Sequence, residues 1–135
     1  MNLLFVCKYN RFRSKVAEAF FKKINKNKTI KVKSAGLIKG GRIGKNIISA
    51  AKENGISIIG QPRGLSSELL MWQDMIVIAA DDVPQGIFEN KKYGKPLIAW
   101  KIPDAKSTGK EEKEKIIKKI KKKVCALAKK LNGAK

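Results

Sequence analysis

The sequence predicts an α/β fold: a single-domain three-layer sandwich over residues 1–135, with a four-stranded parallel sheet flanked by helices. Three observations carry this expectation. Short apolar runs alternate with longer segments of helical period, the pattern of repeated βαβ units. Hydrophobic residues make up 43% of the 135 residues, enough for the core of one domain despite a net charge of +20. No apolar stretch approaches the roughly 20 residues that span a bilayer, and Leu3 to Cys7 is too short for the core of a signal peptide, so a cytoplasmic globular protein is expected.

Each element follows from its own pattern. Asn2 to Val6 is too short for a helix and suits a strand buried on both faces. From Ser14 onward, Val16, Ala17, Phe20, Phe21 and Ile24 form one apolar stripe on a helix ending near Asn25 to Asn27. Thr29 to Ser34 alternates as a second strand, closed by Ala35 and Gly36, and the glycine-rich stretch Gly36 to Gly44 is a loop. Ile47, Ile48 and Ala51 have helical spacing within Asn46 to Asn54, and Gly55 is placed to end that helix in the left-handed conformation. Ser66 or Ser67 can cap a short helix through Trp72, and Met75 to Ala80 is the most strand-like run in the chain. Pro96 to Trp100 makes a fourth strand after the polar stretch Glu89 to Lys95. A long helix from about Gly109 to Leu131 closes the chain, with glutamates near its start and lysines thereafter, as the helix dipole favours.

Charge and cysteine content narrow the chemistry. Lys and Arg number 31 against 11 Asp and Glu; no acidic residue stands between Glu18 and Glu53, and residues 109–135 hold 11 lysines and 3 glutamates. Such a surface attracts anions, nucleic acid included, without choosing among them. With no histidine and only Cys7 and Cys125, a zinc site is not expected, and no metal or other cofactor is called for. Cys125 falls beside the apolar stripe of the last helix and reads as packing. Trp72 and Trp100 read as core, with Tyr93 a candidate for a pocket rim.

The loop Cys7-Lys8-Tyr9-Asn10-Arg11-Phe12-Arg13-Ser14 joins the first strand to the first helix, where an open α/β sheet binds its ligands. Its backbone N–H groups can wrap an oxyanion while the helix dipole adds positive potential. The same setting turns a thiol into a nucleophile, which makes Cys7 the candidate. Arg13, six residues on, offers a planar fork for two oxygens of a phosphoryl group. Asp104 leaves the fourth strand at the same sheet edge and can donate a proton to a leaving oxygen, a contribution of about 10² to 10⁴ in rate. Asn10 tolerates a left-handed turn.

The segment FVCKYNRFRSKVAEAFF resembles the signature of the low-molecular-weight protein tyrosine phosphatases, whose fold is shared by thioredoxin-linked arsenate reductases. Ser34-Ala35-Gly36 and Trp100-Lys101-Ile102-Pro103-Asp104 resemble two further segments of that family, so the likeness covers nearly the whole chain. It implies that Cys7 forms a phosphocysteine within a CX5R phosphate loop and that Arg13 binds the phosphoryl oxygens. It further implies that Ser14 donates to the thiolate, Asn10 holds the loop turn and Asp104 acts as general acid. Lys8, Tyr9, Arg11 and Phe12 complete the loop that would bind substrate, a phosphorylated protein or small phosphate ester, with inorganic phosphate as product.

Departures from the pattern are specific. Tyr9 stands where the family usually has a small residue, and Ala105 replaces the usual proline after the acid. Phe12 replaces a frequent second cysteine, so no neighbouring thiol can shield Cys7 through a disulfide. Arg11 and Lys8 make the loop unusually basic, favouring a multiply charged anion. An arsenate reductase would need two further cysteines near the middle of the chain, and none is there. A basic phosphate- or nucleic-acid-binding protein without turnover is the other alternative; the retained Cys7, Arg13, Ser14 and Asp104, and the few aromatics among the lysines, favour the enzyme.

Overall fold

The computed structural model describes residues 1–106 and 109–133. Its centre is β1 (Asn2–Cys7), in which Leu3, Leu4, Phe5 and Val6 are all fully buried. The run is apolar on both sides because both sides are covered. Strands β2 (Lys31–Gly36), β3 (Met75–Ile78) and β4 (Leu97–Ala99) complete a parallel sheet in the order β2-β1-β3-β4. The helices are α1 (Arg13–Ile24), α2 (Lys45–Glu53), α3 (Ser67–Trp72) and α4 (Lys110–Leu131).

Alternation along β1 divides the core. Leu3 and Phe5 join Phe20 and Phe21 of α1 and Ile117 and Ile120 of α4 on one face. Leu4 and Val6 join Leu69 of α3 with Ile76 and Ile78 on the other. Trp100 packs at 5.7 Å from the Phe5 ring and Trp72 packs against the second cluster, so both tryptophans are half-buried against the core. The chain leaves β1 for β2 on one side and then crosses to β3 on the other. That reversal of direction opens a crevice at the C-terminal end of β1, where Cys7 lies.

Three boundaries differ from those expected. β2 runs two residues later than Thr29 to Ser34 suggested, because backbone pairing continues through Ser34, Ala35 and Gly36 opposite Phe5, Val6 and Cys7. β3 ends at Ile78 rather than Ala80, although the Ala79 N–H still donates to the Val6 carbonyl at 2.8 Å. The polar stretch before β4 contains 3-10 turns at Gln85–Ile87 and Asn90–Tyr93, anchored by the buried Asn90 amide, which donates to the Pro96 carbonyl at 2.9 Å. The capping expectations hold: Ser66 accepts from the Leu69 N–H at 3.1 Å, and Gly55 has φ 81°.

Candidate active site

The site is built on a loop that could not hold its shape alone. Residues 8–12 leave β1 with Asn10 at φ 55°, a left-handed turn that Asn adopts more readily than most residues. A second strip of backbone supports it: Leu37, Ile38 and Gly40 donate N–H bonds to the carbonyls of Cys7, Lys8 and Tyr9 at 2.9, 2.9 and 3.1 Å. These bonds use loop carbonyls as acceptors and so leave the loop N–H groups available to an anion. The strip approaches so closely that a Cβ on Gly36 would lie 2.6 Å from the Tyr9 carbonyl carbon and 2.7 Å from the Asn10 nitrogen. Gly36 is therefore a steric requirement of the loop.

Beneath the loop, a chain of hydrogen bonds fixes one proton. The Arg63 N–H donates to Asn10 Oδ1 at 2.9 Å, which orients the amide. Asn10 Nδ2 then donates to Ser14 Oγ at 2.7 Å and to Ser34 Oγ at 2.9 Å, and Ser34 donates onward to Glu18 at 2.5 Å. Ser14 Oγ lies 3.0 Å from Cys7 Sγ. Asn10 donates to the same hydroxyl oxygen, so when Cys7 is a thiolate, which can only accept, the Ser14 proton points at sulfur and stabilises it by donation. Asn10 and Ser14 are fully buried and Cys7 is 2% exposed.

Arg13 is the first residue of α1 and is 2% exposed. Its Nη1 donates to the Ile102 carbonyl at 2.9 Å, and its Nη2 donates to Asp82 Oδ1 and Oδ2 at 2.9 and 3.1 Å. Neither bond uses Nε–H. Asp81 and Asp104 lie farther from the same guanidinium, at 3.6 and 3.7 Å. The Ile102 carbonyl is presented by Lys101 at φ 50°, a conformation that costs a non-glycine residue about 1 kcal/mol and is locked by the Asp81 N–H donating to the same oxygen at 2.9 Å. Asp104 Oδ1 accepts from the Ala105 N–H at 2.9 Å, which leaves Oδ2 toward Arg13.

Cys7, Arg13 and Asp104 thus meet on one cavity of about 480 Å³, whose wall also includes Tyr9, Arg11 and Phe12. Lys8 sits beside the Tyr9 ring, its ammonium 5.2 Å from the centroid, and it does not line the cavity. Asn10 and Ser14 act from below. Tyr93 lies on another groove beside Met71 and Ile87, away from this wall. Cys125 is on α4, half-buried and unpaired. Among the described residues no group of three or more Cys, Asp or Glu could hold a metal ion, and no helix is long and apolar enough to cross a membrane.

Sequence reasoning missed Asp82, which makes the shortest ionic contact to Arg13. A signal for it existed: Asp81-Asp82 directly follows the third strand, so the same edge rule that selects Asp104 selects it too. Ser34 lay in a segment that resembles the family, though without a stated role, while Glu18 and the Arg63 backbone left no signal, because their link to Cys7 runs through Asn10.

A buried thiol in an anion-binding loop at a sheet crevice, faced by an arginine and a carboxylate, defines an α/β protein equipped for phosphoryl chemistry. The chain matches the low molecular weight phosphotyrosine protein phosphatase family over residues 2–135 and belongs to it, which makes it a phosphatase. No curated protein matches it. Among solved structures, the YwlE arginine phosphatase from Geobacillus stearothermophilus is 23% identical with a TM-score of 0.83, covering 98% of this chain and 93% of its own. Wzb from Vibrio vulnificus in complex with benzylphosphonate is 25% identical with a TM-score of 0.78, covering 96% and 97%. An arsenate reductase from Archaeoglobus fulgidus is also 25% identical, with a TM-score of 0.72 and coverage of 93% and 98%.

Proposed function

We propose that the protein hydrolyses a phosphate monoester, of the phosphotyrosine type on a protein substrate, through a phosphocysteine intermediate. The observation that carries this is the Asn10–Ser14–Cys7 chain, which aims a hydroxyl proton at a sulfur already facing the cavity of Arg13 and Asp104. The phosphoryl group sits in the N–H groups of residues 8–13, with Arg13 on two of its oxygens. Cys7 attacks phosphorus, the ester P–O bond breaks, and Asp104 gives its proton to the leaving oxygen. In the second half Asp104 takes a proton from water as the water displaces Cys7, releasing inorganic phosphate. Arg13 keeps its charge throughout and stabilises both transition states.

The complex of Wzb with benzylphosphonate, an arylmethyl phosphonate, is consistent with an aromatic ester as substrate in a related cradle. Arsenate reduction has no comparable support, because Cys125 on α4 is the sole thiol besides Cys7.

Hydrolysis of para-nitrophenyl phosphate by the wild type beside Cys7→Ser and Asp104→Asn tests the assignment. Turnover abolished by Cys7→Ser, and lowered by about 10² to 10⁴ in Asp104→Asn, is expected. A wild type that binds inorganic phosphate yet never turns the ester over would sink it.

A further inference from the structure

The cavity wall beyond the phosphate cradle is cationic, and it draws its cations from three separate elements. Arg11 comes from the loop. Its side chain lies along Gly40, where an added Cβ would meet the Arg11 Cγ at 2.6 Å, and its Nε donates to the Arg42 carbonyl at 3.2 Å. Lys45 stands at the start of α2, whose first turn contains no acidic residue. Lys113 reaches the cavity from α4 and is only 7% exposed. The carboxylate among the described lining residues is Asp104, assigned above to proton transfer; Asp81 and Asp82 lie against Arg13, and Lys113 also borders the groove that holds Glu53, so the cations turned to the substrate are Arg11 and Lys45.

A phosphate group engages Arg13 and the loop N–H groups. The charge of Arg11 and Lys45, both exposed, is then left facing whatever the phosphate is attached to, with Lys113 in the wall behind them. We propose, on the basis of the phosphatase assignment above, that this wall selects phosphorylated protein segments carrying acidic side chains next to the phosphorylated residue. It discriminates against a cationic neighbour, including the guanidinium that a phosphoarginine would bring to the same wall. Complementary charge held around one cavity gives selectivity, whereas net charge spread over the surface gives only general attraction.

The experiment separates those two effects. Three phosphotyrosine peptides differ only in the residues flanking phosphotyrosine, which are Glu, Ala or Lys, so the leaving group is the same in each. kcat/KM is measured for the wild type, for Lys45→Glu and for Lys122→Glu, an exposed position on α4 nine residues beyond Lys113 and so roughly 13 Å along the helix. Both variants remove two units of positive charge, and Glu suits the first turn of α2. The expected wild-type preference for the Glu over the Lys peptide is about tenfold or more at low ionic strength, shrinking with added salt. Lys45→Glu should cut that preference at least threefold while Lys122→Glu leaves it nearly unchanged. A wild-type preference under about twofold, or equal losses in both variants, overturns the proposal. If para-nitrophenyl phosphate is not hydrolysed at all, the phosphatase assignment is what has failed. The affinities of the same peptides for Cys7→Ser, read by calorimetry, then still decide whether the wall discriminates.

Discussion

In the proposed mechanism Arg13 meets a phosphoryl group with its fork already aimed, and two partners hold it: the Ile102 carbonyl and the Asp82 carboxylate. Asp82 touches no reacting atom in the proposed mechanism, so it is a positioning residue. Asp82→Ala is expected to lower kcat by about tenfold, equivalent to roughly 1.4 kcal/mol, with KM changing less than threefold. Asp82→Asn, which can still accept one hydrogen bond, should recover part of the loss. A merely structural role would instead lower the fraction of active enzyme without altering kcat per titrated site. That Cys7, Arg13 and Asp104 meet on one cavity was legible in the sequence, because Cys7 ends the first strand, Arg13 opens the helix after it and Asp104 follows the fourth strand. Asp82 obeyed the same rule but has no place in the quoted motifs, and the Arg63–Asn10 bond joins residues 53 positions apart, which no local pattern reveals.

The elements explain why the loop is rigid. β2 outruns its expected end so that Ala35 and Gly36 pair with Val6 and Cys7, and the following strip bonds to the loop carbonyls. Side-chain alternation ended the strand at Ser34 on paper, since Ala and Gly carry no alternation; backbone pairing continued regardless of side chain. Gly36→Ala puts a methyl into the backbone of residues 9 and 10, an overpacking of about 2–3 kcal/mol. The expected result is a fall of about 10 °C in Tm, read by calorimetry, together with loss of inorganic phosphate binding. Unchanged phosphate affinity in the folded variant would show that the cradle does not depend on this contact. Boundaries of α1, α3 and α4 were readable to within a residue or two because apolar stripe, Ser66 cap and charge order agree. The two 3-10 turns were not, since three or four residues are too few to show a helical repeat.

At the scale of the whole molecule, a charge of +20 repels itself, and stability should rise as lysines lose protons. Lys15 adds a specific part. It is 4% exposed, and its pKa is lowered from 10.5, first by burial, with the Glu18 carboxylate opposing. The folded chain therefore releases this proton at a lower pH than the unfolded chain does. Its contribution to stability grows as pH rises from the lowered value toward 10.5 and is complete above it. Lys15→Met should flatten the rise in urea-unfolding free energy across that alkaline range, relative to the wild type at matched ionic strength. Parallel curves for the two proteins would contradict the assignment.

The partners that shape the cradle are scattered along the polypeptide: Ser34 is 24 residues from Asn10, Asp82 is 69 from Arg13 and Ile102 is 89 from it. During synthesis Cys7 emerges before any of them. A nascent chain thus lacks the partners of Asn10 and Arg13 until the segment around Ile102 has been made and docked. Under the proposed mechanism, recovery of turnover on refolding is expected to report completion of the fold rather than the appearance of its first elements.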